Sequence, residues 1–281
     1  MAKRGLGLGY IPKSSPVHRL AGASKLLMVV LISLACMITY DTRFLLAVII
    51  GSCAMFAVSR VPLRDLKVIL TLLVIFMILN NVFIFLFSPE EGVAIYGTRH
   101  LIADLAGRYT ITQEQIFYQL NVTMKYFSIM PLALIFFVTT EPSEFASSLN
   151  KVGVNYKAAY SVSLALRYIP TLQREYFEIS QAQQARGVDL SKNVKLIQRV
   201  KGLISIVFPL IVTSIDKIDT IAYAMELRSF GKGKHRTWYR YRPFTKADYA
   251  VVTVSAALIV VAVILGLING GRFYNPFMTK L

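Results

Sequence analysis

The sequence predicts an all-α integral membrane protein with about five transmembrane helices plus long cytoplasmic helices. Three observations carry that prediction. Of 281 residues, 55% are hydrophobic and 16% charged, with a mean hydropathy of +0.55, too apolar for an ordinary water-soluble domain. Leu66–Phe87 and Ala250–Ile268 each supply the run of about 20 apolar residues that crosses a hydrocarbon core. Between such runs lies Glu141–Ala247, too polar to cross a bilayer as a whole.

Taken in order, the bases near the amino terminus and the apolar run Leu26–Ala35 mimic a signal peptide. No small-x-small cleavage site precedes the second hydrophobic run, so the segment reads as a retained first span. Leu26–Tyr40 and Phe44–Val58, joined at Asp41-Thr42-Arg43, read as a helical hairpin with its ends in the headgroup region. Leu66–Phe87 is the third span. Tyr126–Thr140 is the fourth, and its polar lead Gln119–Lys125 extends the helix into a protein-lined or wet region where Lys125 can snorkel. Ala250–Ile268 is the fifth. The organisation is thus membrane helices over residues 1–140, cytoplasmic or interfacial helices over 141–247, and a last span with a short external tail over 248–281.

Bases near helix ends are retained on the cytoplasmic side. Five spans with the amino terminus inside place Lys3, Arg4, Lys13, Arg19, Lys25, Arg60, Arg64, Lys67 and the bases between Lys151 and Lys246 inside. Arg43, Arg99, Arg108, Arg272 and Lys280 remain outside, as do Glu90, Glu91, Asp104 and Glu114 in the loop Ser88–Phe117.

A net charge of +16 suits nucleic acid, anionic lipid or an acidic protein partner, and the membrane setting favours the last two over nucleic acid. Topology and lipid headgroups account for most of the excess. Cys36 and Cys53 lie in apolar segments and read as packing residues. His18, His100 and His235 are scattered without metal-ligand spacing. No G-x-x-x-x-G-K-[S/T] loop occurs, and Gly5-Leu-Gly-Leu-Gly9 follows no strand, so ATP handling and catalysis are not expected of this chain.

The middle segment opens with a short helix, Ser143–Leu149, introduced by Glu141-Pro142 and closed near Gly153. Tyr156–Ala185 has no glycine and one proline, Pro170, and reads as a long kinked helix that stops at Arg186-Gly187. A second long pattern runs from about Ser191 to Arg228, broken or kinked at Gly202 and Pro209, and stops before Ser229. Leu203–Ile215 is too short to span alone and reads as interfacial. Ala185-Arg186-Gly187 and Leu227-Arg228-Ser229 therefore stand in similar settings. Each arginine can simply cap its helix with the guanidinium in solvent. As a pair they suit docking, because a planar guanidinium pairs bidentately with carboxylates and caps exposed carbonyls.

Several stretches together resemble the T component of energy-coupling factor transporters, the CbiQ-like family of membrane subunits in ATP-driven vitamin and trace-metal importers. Gly9-Tyr10-Ile11-Pro12, Ser15, His18-Arg19-Leu20 and Lys25-Leu26-Leu27 resemble its amino-terminal signature. Thr140-Glu-Pro-Ser-Glu-Phe145 is similar to its first coupling helix and Leu166-Arg-Tyr-Ile-Pro170 to the opening of its second. Gln184-Ala-Arg-Gly187 matches its first Ala-Arg-Gly motif, and Ala224-Met-Glu-Leu-Arg-Ser-Phe-Gly231 resembles the second, with Leu227 and Ser229 in place of the usual alanine and glycine.

The resemblance implies a non-catalytic coupling subunit in the plasma membrane of a prokaryote. Ala185, Arg186, Gly187, Leu227, Arg228 and Ser229 would seat in two cytoplasmic ATPase subunits that carry ATP and Mg, with no cofactor in this chain. Membrane lipid and a membrane substrate-binding subunit would surround its helices. A self-sufficient secondary transporter is the competing class, but the five apolar cores contain no Asp or Glu and no repeat is evident. A membrane-embedded enzyme would have to use Lys125 or Asn80-Asn81, and such asparagines more often bridge neighbouring helices.

Overall fold

The computed structural model describes residues 15–106, 109–189, 195–233, 237–238 and 242–277. Gly5–Lys13, Arg108, the expected helix start at Ser191, His235 and Lys280 lie outside them. The chain divides into two compact units, one reaching Ser148 and resuming at Arg242, the other running Leu149–Tyr241.

In the first unit, Ser15 accepts from His18 N to open α1 (Pro16–Arg19), and proline occupies its first turn, where no helical N–H is required. The hairpin follows as α2 (Gly22–Ile38) and α3 (Thr42–Ser59), the latter capped by Asp41. A 3-10 turn (Leu63–Leu66) leads into α4 (Lys67–Phe87). Then come α5 (Glu91–Tyr96), the strands β1 (Leu101–Ala106) and β2 (Tyr109–Thr112), and α6 (Gln113–Thr139). α7 (Pro142–Lys151) follows, and α10 (Lys246–Ile268) closes the unit behind a Thr245–Asp248 capping box.

Among the described residues, five helices are long and apolar enough to cross a membrane, in agreement with the multi-pass architecture read from the sequence. The set differs by one member. α3, α4, α6, α10 and α9 of the second unit (Leu196–Leu227) qualify, while the first expected span lies in α2, 17 residues long and below that length. α9 qualifies because it continues through Gly202 and Pro209, where a break or kink was expected. The polar lead Gln119–Lys125 is helical, so α6 runs 27 residues.

The core joins Met28, Ile32 and Cys36 of α2 to Phe44 and Leu45 of α3, Leu132 and Ile135 of α6, and Ala262 of α10. α4 stands apart, with Met77 its one buried residue among those described. Asn81 ties it to α6, donating from Nδ2 to Thr123 Oγ1 at 3.1 Å and accepting at its carbonyl from Gln119 at 3.2 Å, the helix-bridging role expected of an intramembrane amide. Lys125 places its ammonium 3.6 Å from the Tyr40 ring centroid, a cation–π contact.

The loop Ser88–Phe117 holds structure that the sequence reading did not contain. β1 and β2 pair antiparallel, and buried Glu114 accepts from Thr98 Oγ1 and from the backbone N–H of His100. Asp41, also fully buried, accepts from Arg43 N, Nε and Nη2 and from Asn269 Nδ2. Burial pushes its carboxyl up, but the hydrogen bonds from Arg43 and Asn269 and the Arg43 charge outweigh that and hold it below its ordinary value.

The second unit is an antiparallel helical pair. Asn155 caps α8 (Tyr156–Ala185) by accepting from Lys157 N. Glu175 of α8 ion-pairs with Lys217 of α9, and Gln183 near the end of α8 donates to Ser205 near the start of α9. At the other end, Phe230 packs on Tyr156 and Tyr160 of α8, with ring centroids 5.8 and 4.7 Å apart.

Candidate functional site: two arginine-capped helix ends

Arg186 and Arg228 are the C-caps of α8 and α9, with φ, ψ of −85°, 8° and −86°, 14°. The next residue crosses into left-handed space in both cases, Gly187 at φ 87° and Ser229 at φ 54°. The closing hydrogen bonds also correspond. Val188 N reaches Gln183 O at 3.0 Å and Gly187 N reaches Gln184 O at 3.0 Å; Phe230 N reaches Met225 O at 2.9 Å and Ser229 N reaches Glu226 O at 2.8 Å. Both ends are Schellman motifs, in which two of the last helical carbonyls are satisfied from beyond the cap.

That stop is shared more widely. α7 closes the same way through Gly153 N to Asn150 O and Val154 N to Leu149 O. What sets α8 and α9 apart is the cap side chain, since α7 carries Val152 there. An arginine at that point sits at the negative end of its helix, beside the carbonyls no backbone partner reaches.

All six residues singled out in the sequence are exposed: Ala185, Arg186 and Gly187 at one end, Leu227, Arg228 and Ser229 at the other. The ends differ in relief. Leu227 is 87% exposed, a large apolar side chain where the first end has only the methyl of Ala185. A Cβ on Gly187 would meet nothing within 4 Å, so the space beside the first arginine is open to another chain.

Because the helices run antiparallel, the two arginines are not brought together. Phe230 lies against Tyr160, so about 40 Å of helix, at 1.5 Å per residue, separates that end of α8 from Arg186. A folded domain of about 200 residues has a radius of gyration near 16 Å and a width of about 40 Å. The separation therefore suits two such domains side by side.

A family model described as CbiQ, cobalt transport protein, matches residues 13–239. The chain belongs to this family. Proteins named energy-coupling factor transporter transmembrane protein EcfT are similar to it over about nine tenths of each chain. That of Streptococcus equi subsp. equi is 31% identical over 276 residues, covering 92% of this chain and 93% of the relative. That of Brevibacillus brevis is 28% identical over 265 residues, covering 90% and 94%. That of Bacillus subtilis is 25% identical over 269 residues, covering 91% and 95%. Membership of a transport family and the apolar helices agree on a multi-pass membrane protein.

Two contributions went unread in the sequence. Gln183, three residues before the first arginine, anchors α8 to α9 through Ser205. Lys25, read as a base near a helix end, is fully buried and donates to Thr139 O at 2.9 Å. Both depend on partners distant in the chain.

Proposed function

We propose that this chain is the non-catalytic transmembrane coupling subunit of an ATP-driven importer of the energy-coupling factor type, for vitamins or trace metals, in the cell membrane with its amino terminus inside. Arg186 and Arg228, each with its flanking pair Ala185 and Gly187 or Leu227 and Ser229, engage two cytoplasmic ATPase subunits, one at each end of the helical pair. ATP and Mg belong to those subunits. A separate membrane subunit binds the substrate and rides on the apolar helices of this chain.

The observation that carries the reading is the repetition of one arginine-capped stop at the two far ends of a single antiparallel pair. Two motors that close and separate would pull such a pair as a unit. The polarity of α8 supports a location outside the hydrocarbon: Arg167, Arg174, Glu175 and Glu178 lie along a helix packed against α9, so α9 cannot enter the bilayer without them. Its apolar stretch Leu203–Ile215 suits a membrane–water interface.

The test is copurification. Loss of one partner of a docked charge pair costs about 2 to 5 kcal/mol, and a reversed charge adds repulsion, so Arg186→Glu or Arg228→Glu should each release an ATPase subunit. Retention of both ATPases by the doubly substituted chain would overturn the assignment. Arg→Lys at either site separates geometry from charge, because an ammonium cannot supply the guanidinium fork.

A further inference from the structure

Four charged side chains converge on the amino-terminal end of α2. Its cap, Ala21, has no side chain to offer the first helical N–H groups, and carboxylates from two other helices supply what is missing. Glu144 of α7 accepts from Gly22 N at 2.8 Å, and Asp248 of α10 accepts from Ala21 N at 2.8 Å and from the Ser24 hydroxyl. Lys25 is buried among them, tied to Thr139 O and within electrostatic reach of Glu144, Arg242 and Asp248. Arg242 donates to His18 O at 2.7 Å and lies 4.0 Å from Glu144. Lys25 and the two carboxylates are buried while Arg242 closes the set from its exposed side, so loss of either carboxylate would leave the buried Lys25 charge less well compensated.

The packing is as close as the electrostatics. A Cβ on Gly22 would fall 2.6 Å from Ser148 Oγ, 2.9 Å from Glu144 Cγ and 3.2 Å from Thr140 Cγ2, so α7 rests on bare backbone.

The chain leaves the first unit between Ser148 and Leu149 and returns between Tyr241 and Arg242. Glu144 stands one helical turn before the exit, and Arg242 is the first residue after the return. Both are fastened to the same five residues, His18–Gly22. Any pull along either covalent link therefore arrives at one point.

We propose that this knot of Gly22, Lys25, Glu144, Arg242 and Asp248 is where displacement of Leu149–Tyr241 is delivered to the membrane helices, with Glu144 and Arg242 as positioning residues for coupling. The proposal rests on the coupling-subunit reading above and names the joint that reading requires.

The experiment needs no knowledge of the substrate. The chain, with Cys36 and Cys53 replaced by alanine and spin labels at exposed Leu79 of α4 and Val260 of α10, is purified with its ATPases and membrane partner in lipid nanodiscs. Distances between the labels are measured with and without ATP and vanadate, alongside ATP hydrolysis. The parent should show a nucleotide-dependent change in distance. Glu144→Ala should keep both ATPases and hydrolysis within about twofold while the distance change falls by at least about fivefold. Gly22→Ala should act likewise, and Ser148→Gly added to it should restore at least half of the change by removing the nearest clashing atom.

A role confined to stability would lower yield, hydrolysis and distance change together, and Ser148→Gly would then restore all three in step. That pattern, an unaltered distance change in Glu144→Ala, or no change in a parent that holds both ATPases, would each overturn the proposal. A parent that captures no ATPase would instead overturn the coupling reading itself.

Discussion

Gln183 donates from its side-chain amide to the carbonyl of Ser205 at 3.1 Å, and Ser205 lies four residues before Pro209. A helical carbonyl normally accepts the N–H four residues on, and proline has none. α8 thus satisfies the acceptor that Pro209 leaves open in α9, and α9 continues unbroken. The contact sits three residues before Arg186, so it fixes the end that carries the first arginine.

Gln183→Ala should therefore lower the thermal stability of the purified chain in detergent by about 1 kcal/mol, the usual net worth of a hydrogen bond. In a Pro209→Ala background the Ser205 carbonyl regains a helical partner and the same substitution should cost markedly less. A double-mutant cycle with no coupling would show that Ser205 finds another donor.

The two caps should respond in opposite directions to exchange of their left-handed residue. Gly187→Ala should destabilise the chain by about 1 kcal/mol, since a side chain at positive φ is strained even though nothing crowds it. Ser229→Gly should gain about 0.5 to 1 kcal/mol by relieving the same strain. Thermal unfolding midpoints of the two variants against the parent decide the matter.

The tie between α4 and α6 should be weak. Hydrogen bonds within a bilayer average about 0.6 kcal/mol in double-mutant cycles, so Asn81→Ala and Thr123→Val should couple at about that size. A cycle read by unfolding in mixed micelles measures it. A coupling several times larger would mark the pair as buried more deeply than a helix-to-helix clasp.

Asp41 should make the chain acid-sensitive in a narrow window. Its folded carboxyl is held below the unfolded value near 3.9, so the stabilisation is complete above about pH 4 and is lost as pH falls through the folded value. Asp41→Asn should flatten the dependence below pH 4 and lower stability above it. Unfolding midpoints between pH 3 and 6 for parent and variant would show the two curves converging at the acid end.

Local chemistry was legible in the sequence, and α8 is the clearest instance. Thirty residues without glycine, stopped by Arg186-Gly187, predict Tyr156–Ala185, the bounds observed. The corresponding ends at Arg186 and Arg228 were legible for the same reason, because a helix stop is decided by a few neighbouring residues. For α9 the sequence allowed a break or a kink at Pro209, and the helix runs on without a break because Gln183 answers for the Ser205 carbonyl. The hairpin β1–β2 was missed because its short strands lack a strong turn signal, and Glu114, whose burial braces the loop, looks in sequence like any solvated acid. Lys25, Glu144 and Asp248 carried no visible relation, being more than a hundred residues apart in each case.

Leu227 stands proud at one end of the pair where Ala185 lies flush at the other. A rod with identical grips could be seized either way round, and nothing would distinguish left from right. One protruding leucine removes that ambiguity, since a surface shaped to take it would find nothing to hold at the Ala185 end.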